Sequence, residues 1–211
     1  MNLLAYSGKA FYAGRNAFRK GAALYVLGAN PGGDPATHAD ETVRSHSSWV
    51  QESAPASWSA YRDESWKGRP PGTHGMQPRI LHVLSTLGLD AGDVPASNVA
   101  FVRSRRIAEL TVDFHQLAEA CWPFHARVLE VVQPKLVLCL GGDAGDFVRA
   151  KLGAQSLVAS FIEANNRHWQ SGIYAATKGP AVAVVTHPSI ANWRSPATDP
   201  TPLVRRWLDG A

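Results

Sequence analysis

At 211 residues, 45% of them apolar and 18% charged, the chain has the size and composition of one folded domain, which excludes an intrinsically disordered protein. No apolar stretch reaches the ~18 residues a bilayer requires, so a cytoplasmic protein without a membrane partner is expected. The formal net charge of +4 suits a nucleic-acid partner without demanding one, and two lone cysteines, Cys121 and Cys139, are too few to hold a metal cluster and read as buried thiols.

In chain order, residues 9 to 20 mix Phe11, Tyr12, Ala17 and Phe18 with Lys9, Arg15, Arg19 and Lys20, a spacing that predicts a short amphipathic helix. Ala23 to Leu27 is an apolar run of strand length, and Gly28-Ala29-Asn30-Pro31-Gly32-Gly33-Asp34-Pro35 is too rich in Gly and Pro to continue it. That stretch is the mouth of a strand, where backbone can approach a ligand closely or simply turn. A long polar region, about 36 to 76, follows with few aliphatics but with Trp49, Trp58, Tyr61 and Trp66. A loop of this length is functional or carries small helices of its own.

From Gln77, the residues Ile80, Leu81, Leu84 and Leu87 recur at helical spacing and Gly88 stops the run. Residues 97 to 102 form a second strand candidate, with Asn98 at its start or inside it and Arg103, Arg105 and Arg106 behind it. A long helix over about 109 to 132 takes Leu117, Cys121, Phe124, Val128 and Val131 as its inner stripe, with Pro123 as a potential bend. Residues 135 to 140 are the clearest buried strand, and Gly141-Gly142-Asp143 leads into a helix with Phe147, Val148 and Leu152. Residues 181 to 186 make the last strand and run into His187-Pro188-Ser189, and a helix from about Thr201 to Leu208 follows. Four apolar runs separated by helices imply an α/β fold: a single-domain, three-layer α/β/α sandwich around a four-stranded parallel sheet. In such sheets ligands bind beyond the carboxyl ends of the strands, which brings Asn30, Arg103, Gly141 and His187 to one rim.

Three pieces of this pattern, in order, resemble the uracil-DNA glycosylase superfamily over about Leu24 to Arg194. Gly28-Ala29-Asn30-Pro31-Gly32 looks like the first motif in the Asn-containing form of the mismatch-specific and single-strand-selective branches. Asn98-Val99 looks like the strand that carries the base-reading Asn, and His187-Pro188-Ser189 like the second catalytic motif. Residues 133 to 141 with Ala144 resemble the strand between them. The cysteines of the iron-sulfur branches are missing and the 36–76 insert matches no branch, so the branch is left unassigned.

The resemblance implies a monofunctional glycosylase that hydrolyses the bond between deoxyribose and uracil or a related damaged base in DNA, without metal or organic cofactor. His187 would donate to uracil O2 as the base departs as an anion. Asn30 cannot accept a proton near neutral pH but can orient the attacking water through its carbonyl. Asn98 offers an acceptor and a donor side by side, complementary to uracil N3–H and O4 and mismatched to cytosine. Gly28 and Ala29 would lie against the base, and Trp66, or else Trp49, Trp58 or Tyr61, would stack on it. Ser189, Ile190, Trp193 and Arg194 stand where the superfamily places a loop that enters the DNA stack, Ile190 and Trp193 as wedges and Arg194 on a phosphate. Two other readings stay open: a catalytically inactive nucleic-acid- or nucleotide-binding module of the same fold, and an unrelated doubly wound enzyme of a phosphorylated metabolite.

Overall fold

The computed structural model describes residues 2–177 and 179–210. It is an α/β protein built on one mixed sheet of six strands, in the order β2-β1-β3-β6-β5-β4. The expected parallel strands are present as β1 (Leu24–Gly28), β2 (Ala96–Asn98), β3 (Leu136–Leu140) and β6 (Ala181–Val185). The expectation of four strands is corrected by β4 (Ser156–Ile162) and β5 (Gln170–Ala175), which extend the sheet antiparallel beyond β6. This hairpin was hidden because β4 is an edge strand exposed along much of its length, so it lacks the continuous apolar run of its buried neighbours. Gly172 in β5 leaves room for Leu157, whose Cδ1 would lie 2.7 Å from a Cβ added there.

The strand runs are apolar on both sides because both faces of the sheet are covered. Leu24, Val26, Leu136, Leu138, Leu140 and Ala183 face one core, against residues of α1 (Val43–Glu52), α2 (Ala60–Asp63), α3 (Gln77–Thr86) and α6 (Thr201–Gly210). Tyr25, Leu27, Val137, Cys139 and Val182 face the other, against α4 (Phe114–Val132) and α5 (Gly142–Leu152). Both cysteines are free and buried. Among the described residues no helix is long and apolar enough to cross a membrane.

Local signals explain the helix limits. Pro78 opens α3 and Gly88, at φ 74°, lies just beyond its end. Asp113 caps α4 by accepting from the Gln116 N–H, and Gln133 in the left-handed region ends it before Pro134. The inner face of α4 is Leu117, Cys121, His125, Val128 and Val132, whereas Val131, expected inside, is 43% exposed. The polar His125 occupied the position that completes the 3.6-residue stripe.

The helix expected over 9 to 20 is absent; only Arg15–Ala17 makes a 3₁₀ turn. Residues 8 to 13 instead run along the outer edge of β2, where Lys9 and Tyr12 N–H groups donate to Phe101 and Ala96 carbonyls. Gly8 and Gly14 permit this approach, since a Cβ on either would strike the carbonyl of Phe101 or Ala56. The 36–76 region is largely cover for the first core. Thr42 and Ser45 form a capping box that starts α1, and Trp58 and Tyr61 are buried at 5% and 2% exposure. That burial corrects their place among the base-stacking candidates.

Candidate active site at the carboxyl rim of the sheet

Asn98 is the last residue of β2, rather than at its start, and pairs in register with Gly28, the last residue of β1. A Cβ on Gly28 would come closer than 3.0 Å to Asn98 Oδ1, so glycine is what lets the amide lie over the end of β1. Past the strands the two loops stay zipped together. Val99, Ala100 and Ser104 N–H groups donate to the carbonyls of Gly28, Ala29 and Pro31 at 2.8, 2.9 and 3.1 Å. The Gly28–Pro31 loop is therefore held on the segment that follows Asn98.

Asn30 completes that zipper. Its Nδ2 donates to Ser104 Oγ at 2.8 Å, Pro31 O at 3.1 Å and Val102 O at 3.3 Å, and Ser104 Oγ passes its own hydrogen to Arg106 O at 2.8 Å. Carbonyl oxygens only accept, so the amide orientation is determined and Oδ1 faces away from these partners. Arg103, 5% exposed, donates to Gly32 O at 2.7 Å and pairs with Glu41, which makes it a brace of the loop rather than a phosphate ligand. Arg105 pairs with Asp34 at the surface and holds that carboxyl below its ordinary range.

The segment after Asn98 has a second brace. His125 on α4 donates from Nε2 to Val99 O at 3.2 Å and accepts the Tyr25 hydroxyl at Nδ1, 2.8 Å away. Burial pushes its pKa down to about 4, so it is neutral at pH 7.

His187 sits two residues past β6, against the end of β3: a Cβ on Gly141, at φ 94°, would lie 3.3 Å from the His187 Cβ. The Ser189 N–H donates to His187 Nδ1 at 3.1 Å and the Ser189 hydroxyl lies 2.7 Å from the same nitrogen. A backbone N–H can only donate, so Nδ1 is the acceptor and the proton of the neutral ring is on Nε2. Burial lowers the pKa of His187, with the Asp143 carboxylate pulling the other way, so the ring is a neutral donor near pH 7.

The loop behind His187 is fixed from several sides. Arg79 of α3 donates to Pro188 O, Arg167 donates to Ile190 O at 2.9 Å, and Trp193 Nε1 donates to Thr186 O at 3.0 Å. Trp193 is 1% exposed, which corrects its place among the DNA wedges: it is the buried peg of this loop. Ile190 is 54% exposed, and Ser189 and Arg194 are exposed as well. Arg194 borders a groove of about 520 Å³ along α3 with Arg62, Leu81 and His82, a groove whose lining includes none of Asn30, Asn98 and His187.

A partly buried charged cluster beside the rim, its cations buried and its carboxylates half-buried, is not marked in the sequence. Lys9 pairs with Glu64 and lies 3.4 Å from Glu41, which also pairs with Arg103. Trp66, assigned above to base stacking, donates its indole N–H to Glu64 at 2.6 Å and meets Tyr61 edge-on. Burial and the nearby Glu64 carboxylate push the Tyr12 hydroxyl far above its ordinary pKa. Glu41, His46 and Glu64 present ligand atoms within 4.8 Å of one another, but their two negative charges are already matched by Lys9 and Arg103. His46 is buried with no partner at either ring nitrogen among the described residues, and burial, then Lys9 and Arg103, push its pKa down to about 3. Nothing in the sequence marks this cluster, because its members come from unrelated segments and share no spacing.

Four more buried side-chain atoms have no partner among the described residues: Ser59 Oγ, Glu163 Oε1, Trp207 Nε1 and, at the rim, Asn98 Nδ2, on a residue 6% exposed. The rim thus carries an amide donor at Asn98, an amide acceptor at Asn30 and an imidazole donor at His187. No protein-family model matches the chain, and no curated protein matches it in sequence. Fold and site define an α/β protein with a neutral polar constellation at the carboxyl ends of its parallel strands.

Proposed function

We propose that this chain is a monofunctional DNA glycosylase of the uracil-DNA glycosylase superfamily, a three-layer α/β/α sandwich that works in the cytoplasm on DNA carrying uracil or a related damaged base. The observation that carries the reading is the Asn98 amide at the rim that also bears Asn30 and His187: its Oδ1 lies over Gly28, and its Nδ2 is buried with no partner among the described residues. A buried donor without a partner costs about 1–3 kcal/mol, which a base carbonyl at that position would recover.

The chemistry follows from four polar atoms on these three side chains. A flipped uracil presents O4 to Asn98 Nδ2–H and N3–H to Asn98 Oδ1, whereas cytosine presents a donor to a donor. Mispairing of buried groups of this kind discriminates by about 10⁴-fold or more. Asn30 Oδ1 accepts a hydrogen bond from a water and aims its lone pair at the sugar C1′. As the C1′–N1 bond breaks, negative charge grows on O2 of the base and His187 Nε2–H stabilises it without transferring a proton. The water forms the new C1′–O bond and loses its proton to solvent, leaving free base and an abasic sugar. Rotating the base out of a duplex costs a few kcal/mol, which the exposed Ile190 offsets by filling the vacated stack. Asn30 and His187 are neutral, so the rate is limited by the lack of a carboxylate to offset the sugar cation.

The test is release of uracil from a labelled oligonucleotide with one central uracil, compared between the wild type and a His187→Ala/Asn30→Ala double variant. Release by the wild type alone is the expected result. Tight DNA binding without release would instead make the chain a binding module of the same fold.

A further inference from the structure

The turn between β4 and β5 is built onto the His187 loop. The Glu163 N–H donates to Trp169 O at 2.9 Å and closes the turn, and Asn165 Oδ1 accepts from the Arg167 and His168 N–H groups at 2.9 and 3.3 Å. Arg167 is the hub. It pairs with the buried Glu163 at 3.2 Å, donates to Ile190 O at 2.9 Å, and lays its guanidinium over the Trp169 ring with 4.4 Å to the centroid. The Ala164 N–H adds a bond to Ala197 O at 2.9 Å, so the turn holds the loop from Ile190 to Ala197 at both ends.

The result is that one guanidinium ties the ring of Trp169, 42% exposed, to the backbone of Ile190, whose side chain is 54% exposed. A Trp with one face covered by a cation has one face left to offer. Ordering a solvent-facing indole this tightly, next to a loop that carries the Arg194 guanidinium, which has no partner among the described residues, matches a ligand that is flat, aromatic and joined to negative charge. A nucleobase within a strand is such a ligand. An apolar peptide would gain nothing from the cations.

We propose that the β4–β5 turn is a second nucleic-acid contact, in which the open face of Trp169 stacks on a base flanking the excised nucleotide while Ile190 occupies the vacated position. The inference rests on the reading of the rim as a DNA-facing site, and it adds a stacking platform that the parallel-strand core alone does not supply.

The probe is a dye-labelled, single-stranded oligothymidylate, which contains no uracil and is not consumed, titrated by fluorescence anisotropy at several salt concentrations. Trp169→Ala should weaken binding by about 5- to 140-fold, the range for loss of one base–aromatic stack. Trp169→Phe should restore most of the affinity, and the salt dependence should stay that of the wild type because no phosphate contact is removed. Unchanged affinity in Trp169→Ala, or a loss that Phe does not rescue, overturns the proposal. The uracil-release assay separates the two readings. Release together with Trp169-independent binding sinks the platform and leaves the glycosylase standing; Trp169-dependent binding without release does the reverse.

Discussion

Replacing Gly28 by Ala tests whether the end of β1 is shaped by the Asn98 amide. Gly28 is in extended backbone, so alanine meets no conformational strain there, and the whole effect comes from the space its Cβ takes. The nearest atoms to that Cβ are Asn98 Oδ1, closer than 3.0 Å, and Asn98 Cγ at 3.4 Å. Restoring ordinary contact moves the amide by roughly 1 Å, and overpacking of this kind costs about 1–3 kcal/mol of stability. A misplacement of roughly 1 Å costs about 100-fold in rate when the displaced group acts on the substrate. Gly28→Ala should therefore stay folded in urea titrations while single-turnover uracil release falls by about two orders of magnitude. Gly32→Ala, where a Cβ would meet nothing within 4 Å and φ is not positive, is the matched control and should behave as the wild type. A fully active Gly28→Ala, or equal damage from the two alanines, would refute the argument.

Asn98→Asp should shift excision from uracil towards cytosine, because a carboxyl oxygen accepts from cytosine N4–H₂ where the amide nitrogen could only donate, and its protonated form donates to N3; an unchanged base preference in a lesion panel removes Asn98 from the reading role. Asn30→Ala should lower single-turnover release by about 10²-fold with little change in DNA affinity, and Ser104→Ala, which frees the Asn30 amide to turn, should reproduce part of that loss. The fold itself should be acid-sensitive. His125 and His46 have pKa values lowered to about 4 and about 3 from 6.5, so below pH 6.5 the unfolded chain binds protons that the native state refuses. The stability these groups contribute is present above pH 6.5 and is lost as pH falls, by about 1.4 kcal/mol per pH unit for each histidine. Urea titrations at pH 7 and pH 5 should show the drop, and His46→Leu, which sacrifices no hydrogen bond, should remove its own share; a wild-type pH slope in that variant contradicts the assignment.

The buried parallel strands and the helices α3 and α5 were readable because continuous apolar runs, Gly88 and the glycines at 141 and 142 carry local signals. Asn30, Asn98 and His187 were legible as polar residues at or just beyond the carboxyl ends of strands, and the structure adds the zipper of 99–104 onto 28–31 and the Ser189 bond that sets the His187 tautomer. The rest was illegible for physical reasons. Phe11, Tyr12, Ala17 and Phe18 imitate helical spacing, while Gly8 and Gly14 allow an extended edge that only tertiary contact can reveal. Trp193 reads like a surface wedge until its N–H is seen donating to Thr186 O. The pairs Lys9–Glu64 and Arg103–Glu41 join residues more than fifty positions apart, so no window of sequence contains them.

The most direct measurement is product analysis in oxygen-18 water. A uracil-containing oligonucleotide is incubated with the wild-type chain under single-turnover conditions and the products are weighed by mass spectrometry. The account predicts unlabelled free uracil and an unbroken strand whose abasic sugar has gained one heavy oxygen at C1′. An intact oligonucleotide, or a strand cut at phosphate with the base still attached, would contradict it.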